Sequence, residues 1–195
     1  MYKRQEHTYG VLVVSSSEKF NSTMKTLLPM TDYWPLDFAG SVNEARRRML
    51  ETEYDLVLIN APLPDDFGTR LATSICNETG LGVLLFVKAA MYDDVCSKVT
   101  EYGVLTVSKP APLQVVRQSL SVLCATRERL RRMEARQASV EEKIEEIRLV
   151  NRAKWLLIER LGMTEAEAHR YMEKQAMDQR VSKRGLAEII IKTYE

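Results

Sequence analysis

The chain has 195 residues, 45% of them hydrophobic and 28% charged, with a formal net charge of +1. That composition is globular, leaves room for one or two domains with real cores, and excludes a disordered chain. No stretch approaches 18 uninterrupted apolar residues and the first residues lack the apolar run of a signal peptide, so neither a membrane span nor secretion is expected.

The first half alternates strand and helix. Val11-Leu12-Val13-Val14 is a short, wholly apolar, valine-rich run, as expected of a strand buried on both faces. A helical segment follows over about 17–28. Residues 36–39 form a weaker strand, and Ser41 with Glu44 reads as a capping box opening a helix to about residue 51. The third strand is 55–60, followed by a helix over about 68–76. The fourth strand is 82–87, and a helix from about 92 to 101 leads to the fifth at 103–108. Strands and helices in alternation predict a parallel sheet covered on both faces.

This layout resembles the receiver domain of bacterial response regulators, an α/β fold with flavodoxin-like topology. The local echoes are Asp55-Leu56-Val57-Leu58-Ile59-Asn60-Ala61-Pro62-Leu63-Pro64, ending in Gly68, and the Ser108-Lys109-Pro110 turn. In a doubly wound sheet, function gathers at the carboxyl ends of the strands. The resemblance implies two acidic residues after the first strand, a phosphoacceptor Asp ending the third, a Ser or Thr ending the fourth and a Lys ending the fifth. Here the acidic pair aligns with Ser15 and Ser16, and the acceptor with Asn60. The Ser/Thr position falls on Val87, or on Lys88 if the register slips by one, and only Lys109 remains. A carboxylate nucleophile and a Mg²⁺ held by oxygen ligands are what phosphorylation requires. An asparagine and two serines supply neither, so the domain is expected to be a pseudo-receiver. The competing reading rebuilds an acidic site from Glu18 and Asp65. Without a phosphate, Lys109 is expected to bond a carbonyl or Asn60.

From Leu113 to Leu161 there is neither glycine nor proline, which predicts one long helix. With Leu123 as position a, the a series runs Leu123, Leu130, Gln137, Ile144, Asn151 and the d series Thr126, Met133, Val140, Ile147, Lys154. The usable dimer seam is therefore Leu130, Met133, Val140, Ile144 and Ile147, with Asn151 able to fix register in a parallel pair. A long helix folding back on its own receiver is the alternative. The cluster Arg127, Arg129, Arg131, Arg132 and Arg136 reads as a solvated face before it reads as an RNA contact.

Three short helices can be read from 151 to 195. The first closes at Gly162, the second opens on Thr164 with Glu167 three residues on, and the third opens at Ser182. Apolar residues recur at helical spacing: Ala153, Leu156 and Leu157; Ala168, Tyr171, Met172 and Ala176; Leu186, Ile189 and Ile190. The Ala-Lys-x-Leu-Leu, Gly-x-Thr-Glu-x-Glu-Ala, Tyr-Met, Ala-Met and Leu-Ala-x-Ile-Ile pattern resembles the ANTAR domain, the RNA-binding module of bacterial transcription antiterminators. The expected organisation is thus a receiver-like domain over 1–112, a coiled-coil linker over 113–147 and an ANTAR domain over 148–195. Residues 147–195 carry ten Lys/Arg against seven Asp/Glu, whereas residues 1–110 carry eleven against fourteen. The tail is mildly basic, in the sense a nucleic-acid contact requires.

Function is expected to be non-enzymatic: a regulator that stabilises tandem hairpins in a leader RNA so that an overlapping terminator does not form, independently of phosphorylation. Outside the apolar stripes, the expected RNA contacts are Arg180, Lys183, Arg184, Lys154, Arg170, Arg152 and Lys174, with Arg160 beside them. Tyr171 is either a base-stacking ring or a half-buried core residue; Trp155 is a stacking platform if exposed, and seals the dimer or a receiver contact if buried. Cys76, Cys96 and Cys124 are odd in number and lack metal spacing, so reduced thiols in a cytoplasm are expected. With only His7 and His169, no histidine-based metal or catalytic site, and no cofactor, is expected. The expected partners are RNA, a second copy of the chain, and a sequestering protein. The alternatives are a DNA-binding or a scaffolding response regulator. The final helix, Leu186-Ala187-Glu188-Ile189-Ile190-Ile191, is too apolar to lie in a DNA groove.

Overall fold

A computed structural model describes residues 8–194, which fall into two compact units that meet at Arg132 and Met133. His7 lies outside the described residues. The first unit contains β1 (Tyr9–Val14), α1 (Glu18–Leu27), β2 (Tyr33–Ala39), α2 (Val42–Glu51), β3 (Leu56–Asn60), α3 (Thr69–Glu78), β4 (Gly82–Lys88), α4 (Tyr92–Val99), β5 (Leu105–Lys109) and the start of α5 (Leu113–Leu161). All five strands pair in parallel in the order β2-β1-β3-β4-β5, the flavodoxin-like order.

Strand alternation sends successive side chains to opposite faces. One face packs Leu12, Val14, Val57, Ile59, Leu85 and Val87 against α2, α3 and α4. The other packs Val11, Val13, Leu56, Leu58, Leu84 and Phe86 against α1 and the start of α5. The same alternation sorts the strand ends. Asn60 follows Leu56 and Leu58 to the α1–α5 face, Lys109 follows Leu105 and Val107 there, and Val87 goes to the opposite core.

Helix starts are set by side-chain caps. Ser17 accepts from Phe20 N at 3.3 Å and Ser41 from Glu44 N at 3.2 Å. Glu44 does reach back, but to Gly40 N at 2.8 Å, one residue before the cap. The next donors of α2, Val42 N and Asn43 N, are taken by the Asp65 carboxylate at 2.9 and 3.1 Å.

The 49-residue helix α5 is uniform in backbone but not in environment. Val116, Leu120, Leu123 and Cys124 are buried in the receiver core. Gly82 makes this possible, because a Cβ there would meet Leu123 at 2.8 Å. Farther along, Arg127 pairs with Asp55 at 3.6 Å, both side chains 13% exposed, and Asp55 also accepts from Gly10 N at 3.0 Å. Leu123 therefore cannot open a seam toward a partner, which corrects its assignment as the first a position. The side chains of Leu130, Met133, Val140, Ile144 and Ile147 are all exposed.

The second unit packs the end of α5 with α6 (Glu165–Gln179) and α7 (Lys183–Tyr194). Its core is Ala153, Leu157, Ala168, Met172, Ala176, Leu186, Ala187 and Ile190. Ala153, Ala168 and Ala187 are wholly buried, the signature of helices in close approach. Gly162, at a φ of 66°, ends α5 in the left-handed region that favours glycine. Thr164 and Glu167 then form a reciprocal capping box: Glu167 N donates to Thr164 Oγ1 at 3.3 Å and Thr164 N to Glu167 Oε2 at 2.8 Å. Ser182 accepts from Gly185 N at 3.0 Å at the start of α7. Among the described residues no helix is long and apolar enough to cross a membrane.

Candidate nucleic-acid interface and the degenerate receiver site

At the carboxyl ends of β1, β3 and β5, three of the expected residues converge. Lys109 Nζ donates to both Asn60 Oδ1 and the Ala61 carbonyl, each at 2.5 Å. Asn60 Nδ2 donates to Ser15 Oγ at 2.9 Å, and Ser15 Oγ accepts from Ser17 N at 3.1 Å. Ser15 is buried. The result is a closed chain of hydrogen bonds from β5 through β3 to the start of α1, in which every link is satisfied without a carboxylate. Two expected residues are not brought in. Ser16 is exposed, and Val87 packs into the core on the other side of the sheet.

The acidic residues nearby in sequence have other tasks. Asp65 caps α2, Asp66 accepts from Gly68 N at 2.7 Å, and Glu18 is exposed in the first turn of α1. The reading that rebuilds an acidic site from Glu18 and Asp65 therefore finds no support in the geometry. Receivers take a Mg²⁺, and the side chains here do not fit one: hard cations select anionic oxygen ligands, whereas this site presents an ammonium, an amide and a hydroxyl. Among the described residues no group of three or more His, Cys, Asp or Glu is gathered as for a metal ion. Burial, with the Lys88 charge beside it, lowers the Lys109 pKa from its ordinary value.

In the second unit, the face of α6 opposite its buried stripe of Ala168, Met172 and Ala176 carries Arg170 and Lys174, and Tyr171 lies on the flank of that stripe, all three exposed. Arg170 and Tyr171, with Leu161, Gly162, Met163 and Glu167, line a shallow depression of about 480 Å³ beside the α5–α6 turn. Tyr171 is 36% exposed, so one flank of its ring is open. Arg180, exposed, ends α6 at a φ of 55°. Three expected contacts are held by carboxylates: Lys183 by Glu173 at 2.8 Å, Lys154 by Glu165 at 2.7 Å and Arg184 by Glu188 at 3.1 Å. Arg152 and Arg160 are exposed on α5. Glu165 and Glu173 were not foreseen. They lie 11 and 10 positions from their lysines, a spacing that only the packing of separate helices brings together.

Trp155 is 66% exposed and lies one helical turn beyond Asn151. That places it beside the continuation of the Met133–Ile147 stripe and away from buried Ala153 and Leu157. The final helix buries Leu186, Ala187 and Ile190, so its apolar side is core and not a recognition surface.

Comparison with known proteins agrees with both halves. Residues 138–191 match the model of the ANTAR domain family. Over 184 residues the chain is 23% identical to the transcriptional regulatory protein PdtaR of Mycobacterium tuberculosis, covering 94% of this chain and 89% of that one. Among solved structures, the receiver domain of an HD domain-containing protein from Pseudomonas fluorescens is 25% identical, with a TM-score of 0.52, covering 66% of this chain and 96% of that one. A CheY-like receiver domain from Methanospirillum hungatei has a TM-score of 0.56 at 17% identity, covering 63% and 98%, a likeness of fold.

The first unit thus has the fold of a response-regulator receiver, and the second is an ANTAR domain. The chain joins a receiver fold to a segment, residues 138–191, that matches the ANTAR domain family, and along most of its length it is similar to a transcriptional regulatory protein.

Proposed function

We propose that this protein is a dimeric, phosphorylation-independent antiterminator that stabilises tandem hairpins in a leader RNA. The observation that carries the phosphorylation-independence is the Lys109–Asn60–Ser15 chain, which satisfies the receiver site with neutral partners and leaves no carboxylate to take a phosphoryl group. RNA loops are read by stacking unpaired bases and bonding their edges, with basic side chains attracting the backbone. Tyr171 and Arg170, at the depression beside the α5–α6 turn, suit the first task. Arg180, Lys183, Arg184, Lys154, Lys174 and Arg152 suit the second, since surface ion pairs such as Lys183–Glu173 hold little energy and exchange readily for phosphate. The domain division over 1–112, 113–147 and 148–195 follows the same reading, with the first turns of α5 serving the receiver core.

The exposed stripe Met133, Val140, Ile144 and Ile147, continued by Trp155, is the surface through which two copies pair and present two heads to two hairpins. Control then falls to a partner protein that sequesters the dimer. The test is binding of untreated protein to a two-hairpin leader RNA, to the same RNA with scrambled loops, and to duplex DNA. Loop-dependent binding without a phosphodonor is expected, and Lys183→Glu with Arg184→Glu weakens it. Binding that is indifferent to the loops, or to that double substitution, contradicts the reading and favours a scaffold acting through the coiled coil.

A further inference from the structure

On the α1–α5 side of the receiver site lies a cavity of about 380 Å³, between α1 and the β5–α5 connection. Its walls are mostly apolar, from Phe20, Met24, Phe86 and Val116, and its floor is Asn60 and Lys109. The Lys109 ammonium has three N–H donors. Two are used, on Asn60 Oδ1 and the Ala61 carbonyl, both neutral. No ion pair with a carboxylate forms at Lys109 among the described residues, and the like charge of Lys88, its cross-strand neighbour, acts on it. A half-buried cation held only by neutral acceptors lacks the anionic partner that such groups normally have. Lys19 adds a second positive charge at the rim.

We propose that this groove binds a small amphipathic carboxylate: one anionic oxygen pair on Lys109, and an aliphatic or aromatic body along Phe20, Phe86 and Val116. The inference rests on the reading that the site does not take phosphate. Inorganic phosphate fits poorly, because its several charged oxygens would lose water against an apolar wall for a single ammonium. The lining has the ordinary balance of small-molecule sites, mainly apolar with a few polar fixtures, and the cavity has room to spare for a chain of about six carbons. Occupancy would tie β5 and β3 to α1 and α5, and so give a phosphate-inert receiver a chemical input.

The test is a titration of the full chain, labelled at its methionine methyls, with hexanoate. Met24 is buried in the cavity wall and reports directly, while Met163 and Met177, in the second unit, serve as references. Hexanoate is expected to move the Met24 signal saturably and leave the references in place. Lys109→Met should weaken this at least about tenfold, the ordinary effect of losing a charge-assisted hydrogen bond. Thr23→Phe, which fills the cavity from its rim, should abolish it and keeps the test open if Lys109→Met fails to fold. Hexan-1-ol and inorganic phosphate should leave Met24 unmoved. No response to hexanoate, an equal response to hexan-1-ol, or full binding by folded Lys109→Met overturns the proposal. A response to beryllofluoride with Mg²⁺ would overturn the phosphate-inert reading itself, and failure of hexanoate alone would leave that reading standing.

Discussion

Asn60, proposed to stand in the phosphoacceptor's place, ends β3, and both polar atoms of its side chain are already engaged, Oδ1 by Lys109 and Nδ2 by Ser15. Restoring the nucleophile alone does not restore the chemistry, because Ser15 and Ser16 still bring no charge to hold a divalent cation. Wild type and Asn60→Asp are both expected to take up no phosphoryl group from acetyl phosphate and Mg²⁺, read by intact mass; incorporation into either contradicts the account. At the head, Glu173→Ala frees Lys183 and removes a negative charge from the RNA side. Its expected effect is a two- to fivefold gain in RNA affinity at low salt, about the scale of one surface ion pair, shrinking as salt rises. At this scale the sequence was legible wherever a residue type was missing from a patterned place, as at Ser15, Ser16 and Asn60. It was silent on Glu173 and Glu165, because their lysines arrive from other helices.

Among the elements, α6 has the most clearly encoded start. Thr164→Ala removes the cap and should destabilise the head by about 1 kcal/mol, measured by chemical denaturation. Its partner Glu167 has its pKa lowered, first by the Thr164 backbone N–H and then by the Thr164 hydroxyl; Lys154 lowers Glu165 and Lys183 lowers Glu173. A carboxyl group lowered by folding contributes stability that is complete above its unfolded value and is lost as pH falls through the folded one. The head should therefore keep its melting temperature from neutral pH down to about pH 5 and lose it below about pH 4.5. Thr164→Ala, which keeps the backbone N–H and removes only the hydroxyl, should make that acid limb slightly shallower. Caps and strands were readable because each is written in a few adjacent residues. The division of α5 was not, since no Gly or Pro marks where helix buried on the receiver becomes helix exposed to solvent. Leu123 has a heptad-compatible position, and only Gly82 on the distant β4 strand reveals that it belongs to the sheet.

For the molecule as a whole, the exposed stripe from Met133 to Ile147 on an otherwise charged helix predicts a second copy as its cover. Val140→Asp with Ile144→Asp should leave the chain folded but monomeric by sedimentation. In a Trp34→Phe background, the same pair should shift Trp155 emission to the red, as the indole loses its cover. A dimer that survives both substitutions contradicts the seam. The fold was readable at this scale because the alternation of apolar runs and capped helices, and the ordered pattern from Ala153 to Ile190, are each local. The proposed pairing shows in the sequence only as a periodicity.

The most direct test of the central claim is single-round transcription through a leader that carries two hairpins upstream of a terminator, with untreated protein added. The account predicts read-through without acetyl phosphate or a kinase, lost with Lys183→Glu/Arg184→Glu and with the monomeric Val140→Asp/Ile144→Asp chain. Read-through that appears only after a phosphodonor is supplied, or none under any of these conditions, would contradict it.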